Sequence, residues 1–345
     1  MTTIRCTPLC LRRGAARLTS LALAALLAAC GGGGASDDDS GIPVVPSAAS
    51  ITAGNLEGVA RQTLVAATYL GDATGLVTGA QVAPGARTLF NFTRAQLDRL
   101  PALFGSRTRL VTGVTTTESL PCTGGGTVSV QTTDNNGNGN VDVGDVGTLT
   151  ASNCVEEGAT LSGTISLRFT AVSGDLNTDT FAATAAVTLQ SLRASTAAGQ
   201  AAGSGDFTLV ITSTDASTGS LDLTVPSLSV AGSFGGVADT VTLANFRLTS
   251  STALSAGRLR TSSTVSGTVG STALAGGTVR LATLQPLVQF DTDAYPSSGQ
   301  ITATGAAGSQ MRLTVQSTTS VLLELDSSGD ASYESNLVKT WASLV

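Results

Sequence analysis

Beyond about Thr108 the chain alternates apolar and polar residues with period two, and this alternation limits the accessible folds more than any other feature. In TLSGTISLRFTAV, Leu161, Ile165, Leu167, Phe169 and Ala171 share one face, while Thr164, Ser166, Arg168 and Thr170 share the other. In TFAATAAVTLQSL the apolar face is Phe181, Ala183, Ala185, Val187 and Leu189, and in DFTLVITST it is Phe207, Leu209 and Ile211. Similar runs follow at 220–230, 239–250, 263–274, 277–290, 299–305, 310–317 and 320–326, punctuated by Gly, Asn, Asp and Ser. This is the pattern of antiparallel strands with one wet face. Sequential strands usually neighbour each other, so a meander is expected. Inward residues are mostly Ala, Val and Thr, and aromatics are only 4% of the chain, so the core is thin. A sheet this long must curl around something or onto itself. The expected fold is mainly β: a large curved antiparallel sheet or half-open β-barrel, with short N-terminal helices packed against it. One helix is expected at about 55–70, where Leu56, Val59, Ala60, Leu64 and Ala67 recur at helical spacing behind a candidate N-cap, Asn55. A second is expected at 93–100, capped by Thr93 and stopped by Pro101.

Composition removes most catalytic chemistry. The chain has no histidine and a single lysine, Lys339. Imidazole-dependent triads, His-ligated metals and a His pH switch are therefore excluded. Arg and Lys together number 18 against 24 acidic residues, which argues against nucleic-acid binding. The sequence contains no G-x-S-x-G elbow, no phosphate loop of the G-x-x-x-x-G-K-[ST] type and no Asp-Thr-Gly triplet; its Asp-Ser-Gly, Asp39-Ser40-Gly41, falls in the acidic stretch next to the N-terminal address. Scarce aromatics also argue against a sugar-cleaving carboxylate pair. The expectation is a protein that is not an enzyme.

The N-terminus reads as an address. Arg5, Arg12, Arg13 and Arg17 form a positive head, and Leu18 to Ala29 is almost wholly Leu and Ala. Such a run is too short to span a bilayer and fits a secretory signal. It ends Leu27-Ala28-Ala29-Cys30, which resembles the lipobox of bacterial lipoproteins. The resemblance implies that the Cys30 thiol is lipidated and that Cys30 becomes the mature N-terminus. Gly31 stands where inner-membrane retention commonly places Asp, so the resemblance implies a lipid anchor in the outer membrane, facing the periplasm or the cell surface. Two or three acyl chains suffice for stable anchoring. The alternative is an ordinary cut near Ala29 that leaves Cys30 free. Arg12-Arg13 is only a weak hint of a twin-arginine signal. Losing the four head arginines takes the net charge from −6 to −10. The expected organisation is a signal peptide at 1–29, a flexible tether at 30–52 containing Gly31 to Gly34, Asp37 to Asp39, Pro43 and Pro46, and a β-rich domain at 53–345.

With Cys30 lipidated, Cys122 and Cys154 remain in the mature chain, and in an oxidising compartment they most simply pair; two free thiols are the alternative. Between them lies DNNGNGNVDVGD. Asp134, Asn136 and Asn138 fall at positions 1, 3 and 5 of an EF-hand-like loop, Gly139 at 6, Asn140 at 7 through its carbonyl, Val141 at 8, Asp142 at 9 and Asp145 at 12. Alternate residues of a tight turn can aim oxygens at a hard cation, so the loop is a candidate Ca2+ site. Amides replace two carboxylates, position 12 is Asp rather than Glu, and the flanks read as strands. Those departures imply weak affinity, in the range of about 10⁻⁴–10⁻³ M. The competing reading is a long Asn-Gly hairpin loop without metal. A fainter echo, Asp326, Asp330 and Glu334 ahead of Trp341, reads as an ordinary turn.

Taken together, Cys122-Thr123-Gly124-Gly125, the Asp134–Asp145 loop, Asn153-Cys154-Val155 and the following LSGTISL resemble a group of uncharacterised lipoproteins of Gram-negative bacteria. In those proteins the turn before a terminal Trp is usually richer in Asp-Gly; here Ser327, Ser328 and Ala331 dilute it. The resemblance implies no activity. Two expectations follow: a structural or interaction domain of the envelope with a protein partner, or a carrier holding a hydrophobic acyl-chain ligand in the concavity beside helix 55–70. The inward alanines Ala183 and Ala185 with Val187 motivate the carrier reading.

Overall fold

The structure, a computed structural model, describes residues 47–71 and 114–344, apart from 157–158, 177, 198, 216 and 235–236. The expected signal segment, Cys30, the expected tether up to residue 46 and the helix expected at 93–100 lie outside the described residues.

The alternating runs form one antiparallel meander of 14 strands in sequence order, and the sheet does not close into a barrel. The strands are β1 (Val114–Pro121), β2 (Thr127–Asp134), β3 (Val146–Glu156), β4 (Ala159–Gly174), β5 (Phe181–Thr196), β6 (Gly199–Asp215) and β7 (Thr218–Phe234). They continue as β8 (Val237–Ser255), β9 (Arg258–Ser271), β10 (Thr278–Phe290), β11 (Ser298–Thr304), β12 (Gln310–Val315), β13 (Ser320–Asp326) and β14 (Ser335–Thr340). Register aligns the apolar faces. Val130, Leu149, Ile165, Leu189, Gly205, Leu228, Leu243, Val269 and Val279 are successive partners in a row crossing β2 to β10. All but Gly205 are buried, so one row of side chains welds nine strands into a common core.

Bulges supply the curl. The β4–β5 register breaks between Ser162 and Thr164, where Gly163 (φ +119°) lies against the left-handed Ser191 (φ 49°). The β8–β9 register breaks between Ala244 and Arg247, where Gly267 (φ +126°) lies against the left-handed Asn245 (φ 47°). Offsetting two residues against one bends and twists a strand. Each bulge also reverses the in–out phase. Along β5 the inward residues are Val187 and Leu189, then Leu192 and Ala194. The same effect corrects one sequence reading. Ala171, expected on the apolar face, is exposed, because the register shifts between Phe169 and Ala171.

The sheet curls over α1 (Leu56–Gly71), which packs on β8, β9, β12 and β13 and on a one-turn helix at the C-terminus, α2 (Trp341–Leu344). Leu56, Val59, Ala60 and Leu64 are buried as their spacing requires. Each large apolar side chain so buried contributes about 1.5–3 kcal/mol. Asn55 occupies the N-cap position, its carbonyl accepting from Val59 N, but its side chain turns backwards, accepting from Thr52 N and donating to Ser50 O. The segment read as tether ends earlier than residue 52. Ala48 bridges Thr278, Ala306 N donates to Ala49 O, and Ile51 is fully buried with its N–H on Ser309 Oγ.

Candidate functional site

The loop between β2 and β3 brings together the residues that the sequence singled out. It starts where β2 ends, at Asp134, whose carboxylate folds inward and collects backbone N–H groups. Oδ1 accepts from Asn136 and Gly137, and Oδ2 from Gly139. Gly137 (φ +70°) and Gly139 (φ +80°) supply the left-handed backbone that this winding needs. Asn136 Oδ1 then accepts from Asn138 N at 3.0 Å, and Asn138 Oδ1 from Asn140 N at 2.7 Å. Those bonds fix which way each carboxamide faces. Both Nδ2 atoms therefore point at Asp142 Oδ2, each at 2.7 Å. Asn140 enters through its backbone N–H.

The loop floor is Asp145, fully buried, accepting from Asn135 N and Asp142 N. Burial pushes its carboxyl up, aided by the Asp134 and Asp142 charges and opposed by the two N–H donors. Gly144 N and Phe169 N exchange bonds with Phe169 O and Asp145 O, which fastens the loop to β4. At the other end of these strands Cys122 and Cys154 are disulfide-bonded, with Cα atoms 5.5 Å apart.

These contacts bear on what the loop can hold. A hard cation wants convergent oxygens. Here two amide nitrogens give Asp142 the positive poles that a cation would otherwise supply, and backbone donors engage both oxygens of Asp134 and Asp145.

The turn between β13 and β14 repeats the same winding with a different sequence. Asp326 is fully buried; Oδ1 accepts from Gly329 N and Oδ2 from Ala331 N, three and five residues on, as Asp134 accepts from Gly137 and Gly139. The left-handed positions also match: Gly329 (φ +77°) and Ala331 (φ +69°). Asp330 accepts from Ser332 N as Asn138 does from Asn140 N. Carboxylate oxygens of Asp326, Asp330 and Glu334 lie within 4.8 Å of one another. Backbone N–H groups of Ser327 and Ser328 hold the Glu334 carboxyl below its ordinary value. These are the three acidic residues that the sequence offered as a fainter echo of the first loop. The signal was present in the Asp-x-x-Gly spacing shared with the first loop.

Two further features escaped the sequence reading altogether. Asp239, at the start of β8, is buried and accepts from Ser271 Oγ, Thr272 Oγ1, Ala273 N and Gln62 Nε2, joining α1 to the end of β9. Burial alone would raise its carboxyl; the hydrogen bonds from Thr272, Ser271, Ala273 and Gln62 outweigh it and hold the group below its ordinary value. Beside Asp239, across the ends of β4 to β8, lies a half-open concavity of about 780 Å³, lined by Ser162, Arg193, Ser195, Gln200, Thr240 and Thr272 among small residues. Its wall is mostly apolar, from Ala194, Ala201, Ala202, Ala231 and Ala238, with hydroxyl, amide, guanidinium and carboxylate groups set among them. On the inner face of the sheet, apolar side chains from the strands and from both helices pack into one cluster. Among the described residues no helix is long and apolar enough to cross a membrane. No protein family, curated protein or solved structure matches the chain.

Proposed function

We propose that the chain is an outer-membrane lipoprotein, held by acyl chains on Cys30, whose β domain is a non-catalytic structural or interaction module of the cell envelope. The observation that carries the second half of this reading is the packed inner face. Ile51, Val59, Ala60 and Leu64 share one buried cluster with Phe246, Val269, Leu313 and Leu323, where an acyl-chain carrier would need room. The anchor rests on Leu27-Ala28-Ala29-Cys30 and the glycine-rich, acidic stretch that follows. In this reading calcium is not required, because the loop carboxylates already hold protein donors.

The test uses the full chain expressed in a Gram-negative host. The wild type should fractionate with the outer membrane and carry an acyl mass on a chain beginning at Cys30. Cys30→Ser should release the domain as a soluble periplasmic protein, and native mass spectrometry of that variant should show protein alone. An unmodified Cys30 would overturn the anchor, and a co-purifying acyl-chain mass would replace the structural reading by the carrier.

A further inference from the structure

We propose that Asn136-Gly137 and Asn138-Gly139 form a latent deamidation site, kept closed by the folded loop with Asp134 guarding both glycine nitrogens. These are the two Asn-Gly pairs of the chain. In deamidation the backbone nitrogen of the following residue attacks the asparagine Cγ and forms a C–N bond. The Cγ–Nδ2 bond breaks, and Nδ2 leaves as ammonia, taking up the proton lost by the attacking nitrogen. Water then opens the cyclic imide at either carbonyl, giving aspartate or isoaspartate. One water is consumed, one ammonia is released, and nothing is oxidised or reduced. A glycine after the asparagine favours the reaction because no Cβ crowds the attacking nitrogen and the backbone bends freely.

Both nucleophiles in this loop are engaged. Gly137 N donates to Asp134 Oδ1 at 2.6 Å, and Gly139 N donates to Asp134 Oδ2 at 2.8 Å. A nitrogen must lose its proton to attack, and negative charge building on it against a carboxylate is disfavoured. The electrophiles are pinned as well. Each carboxamide is bonded at both ends, its oxygen to a backbone N–H and its nitrogen to Asp142. Cyclisation must break these bonds together, so local opening of the loop gates the reaction. Conversion also cannot be undone by reclosing. It removes a donor from Asp142 Oδ2 and puts a carboxylate in its place, so like charges then meet where the loop had been clamped.

The experiment incubates three samples at mildly alkaline pH: folded wild type, reduced and denatured wild type, and folded Asp134→Ala. Amide-to-acid conversion is followed at each asparagine by mass spectrometry of proteolytic fragments, with isoaspartate detected by enzymatic methylation. Folded wild type should convert many-fold more slowly than the denatured chain at both sites, and Asp134→Ala should approach the denatured rate. Asp134→Asn is the second variant. It keeps the shape but only one acceptor oxygen, so conversion should accelerate mainly at one of the two asparagines. Equal rates in folded and denatured wild type would overturn the latency. Protection undiminished in both Asp134 variants would remove Asp134 as the guard.

Discussion

Asp239 stays anionic inside the protein because four donors hold it. Ser271, Thr272, the Ala273 amide and Gln62 converge on one carboxylate at the junction of α1, β8 and β9. The sign of its pH dependence follows from its lowered pKa. A carboxyl with a folded value below its unfolded one adds stability above the unfolded value, about 3.9, and loses it as pH falls through the folded value. Asp145 acts in the reverse sense: its raised pKa favours the fold at low pH, and that contribution fades as pH rises through the folded value. Asp239→Ala strands buried donors, at a cost of about 1–3 kcal/mol near neutral pH. The gap between wild type and variant should then narrow below about pH 4. Urea unfolding at neutral pH and in acid measures both. A gap that stays constant into acid would show that packing, not charge, is what Asp239 contributes. Nothing in the local sequence marks this residue. Its donors lie far away in the chain, on Gln62 and on residues 271–273, and only the completed meander brings them together.

The strands themselves are set by the alternation, but the bend is set by single glycines at the bulges. A Cβ on Gly267 would lie 2.5 Å from Phe246 Cα and 2.6 Å from Asn245 O, both backbone atoms that cannot swing aside. Gly257 has a similar left-handed need (φ +78°), in the two-residue turn between β8 and β9, but open space around it. Gly267→Ala should therefore cost at least about 2 kcal/mol, combining backbone strain with overpacking. Gly257→Ala should cost only about 1 kcal/mol of strain. Similar losses in denaturant melts would contradict the steric account of the bulge. The β2–β3 loop makes its own prediction at this scale. A millimolar calcium site would add about 1.4 kcal/mol at about 10 mM calcium. If the loop is closed by its own amides, the protein should melt at the same temperature in calcium as in magnesium, and a calcium-specific rise would favour the metal reading. Period two made the middle strands legible in the sequence, and Leu161, Ile165 and Val187 were placed correctly by it. Strand lengths were not legible. β7 and β8 run through Ser, Gly and Ala beyond 220–230 and 239–250, where backbone pairing continues after the apolar alternation stops. Nor was β14 legible, because an edge strand with almost every side chain exposed carries no inward face to read. The loop residues were legible as a set, but the direction of each carboxamide was not, and that direction decides whether Asp142 meets a cation or an amide.

Across the whole molecule, a 14-strand meander is close to one-dimensional: each strand pairs only with its sequence neighbours, and α1 adds long-range contacts on β8, β9, β12 and β13. Such an arrangement can open from either margin without unfolding the middle. Each margin has its own fastening. At the β1–β3 margin it is the Cys122–Cys154 bridge, closing a segment of 32 residues. By loop entropy this is worth roughly 3 to 4 kcal/mol. At the β14 margin it is Trp341, buried, stacked on Tyr295 with ring centres 5.6 Å apart and donating Nε1–H to Ser317 O. The same turn is tied to α1 by Arg61 Nη2 on Ser343 O. Truncating a buried Trp costs about 3–5 kcal/mol. Because the two fastenings share no partner, their losses should add when combined. Their effects should also stay local. Paired Cys122→Ser and Cys154→Ser substitutions should expose the amides of β1–β3 to hydrogen exchange while β10–β13 stay protected. Trp341→Ala should do the reverse, loosening β12–β14 and the C-terminal turn. Exchange mapped strand by strand decides the matter. If either change lowered protection evenly across all strands, the bulged row from Val130 to Val279 would have to couple both margins into a single cooperative unit, and α1 would be its keystone rather than a local anchor.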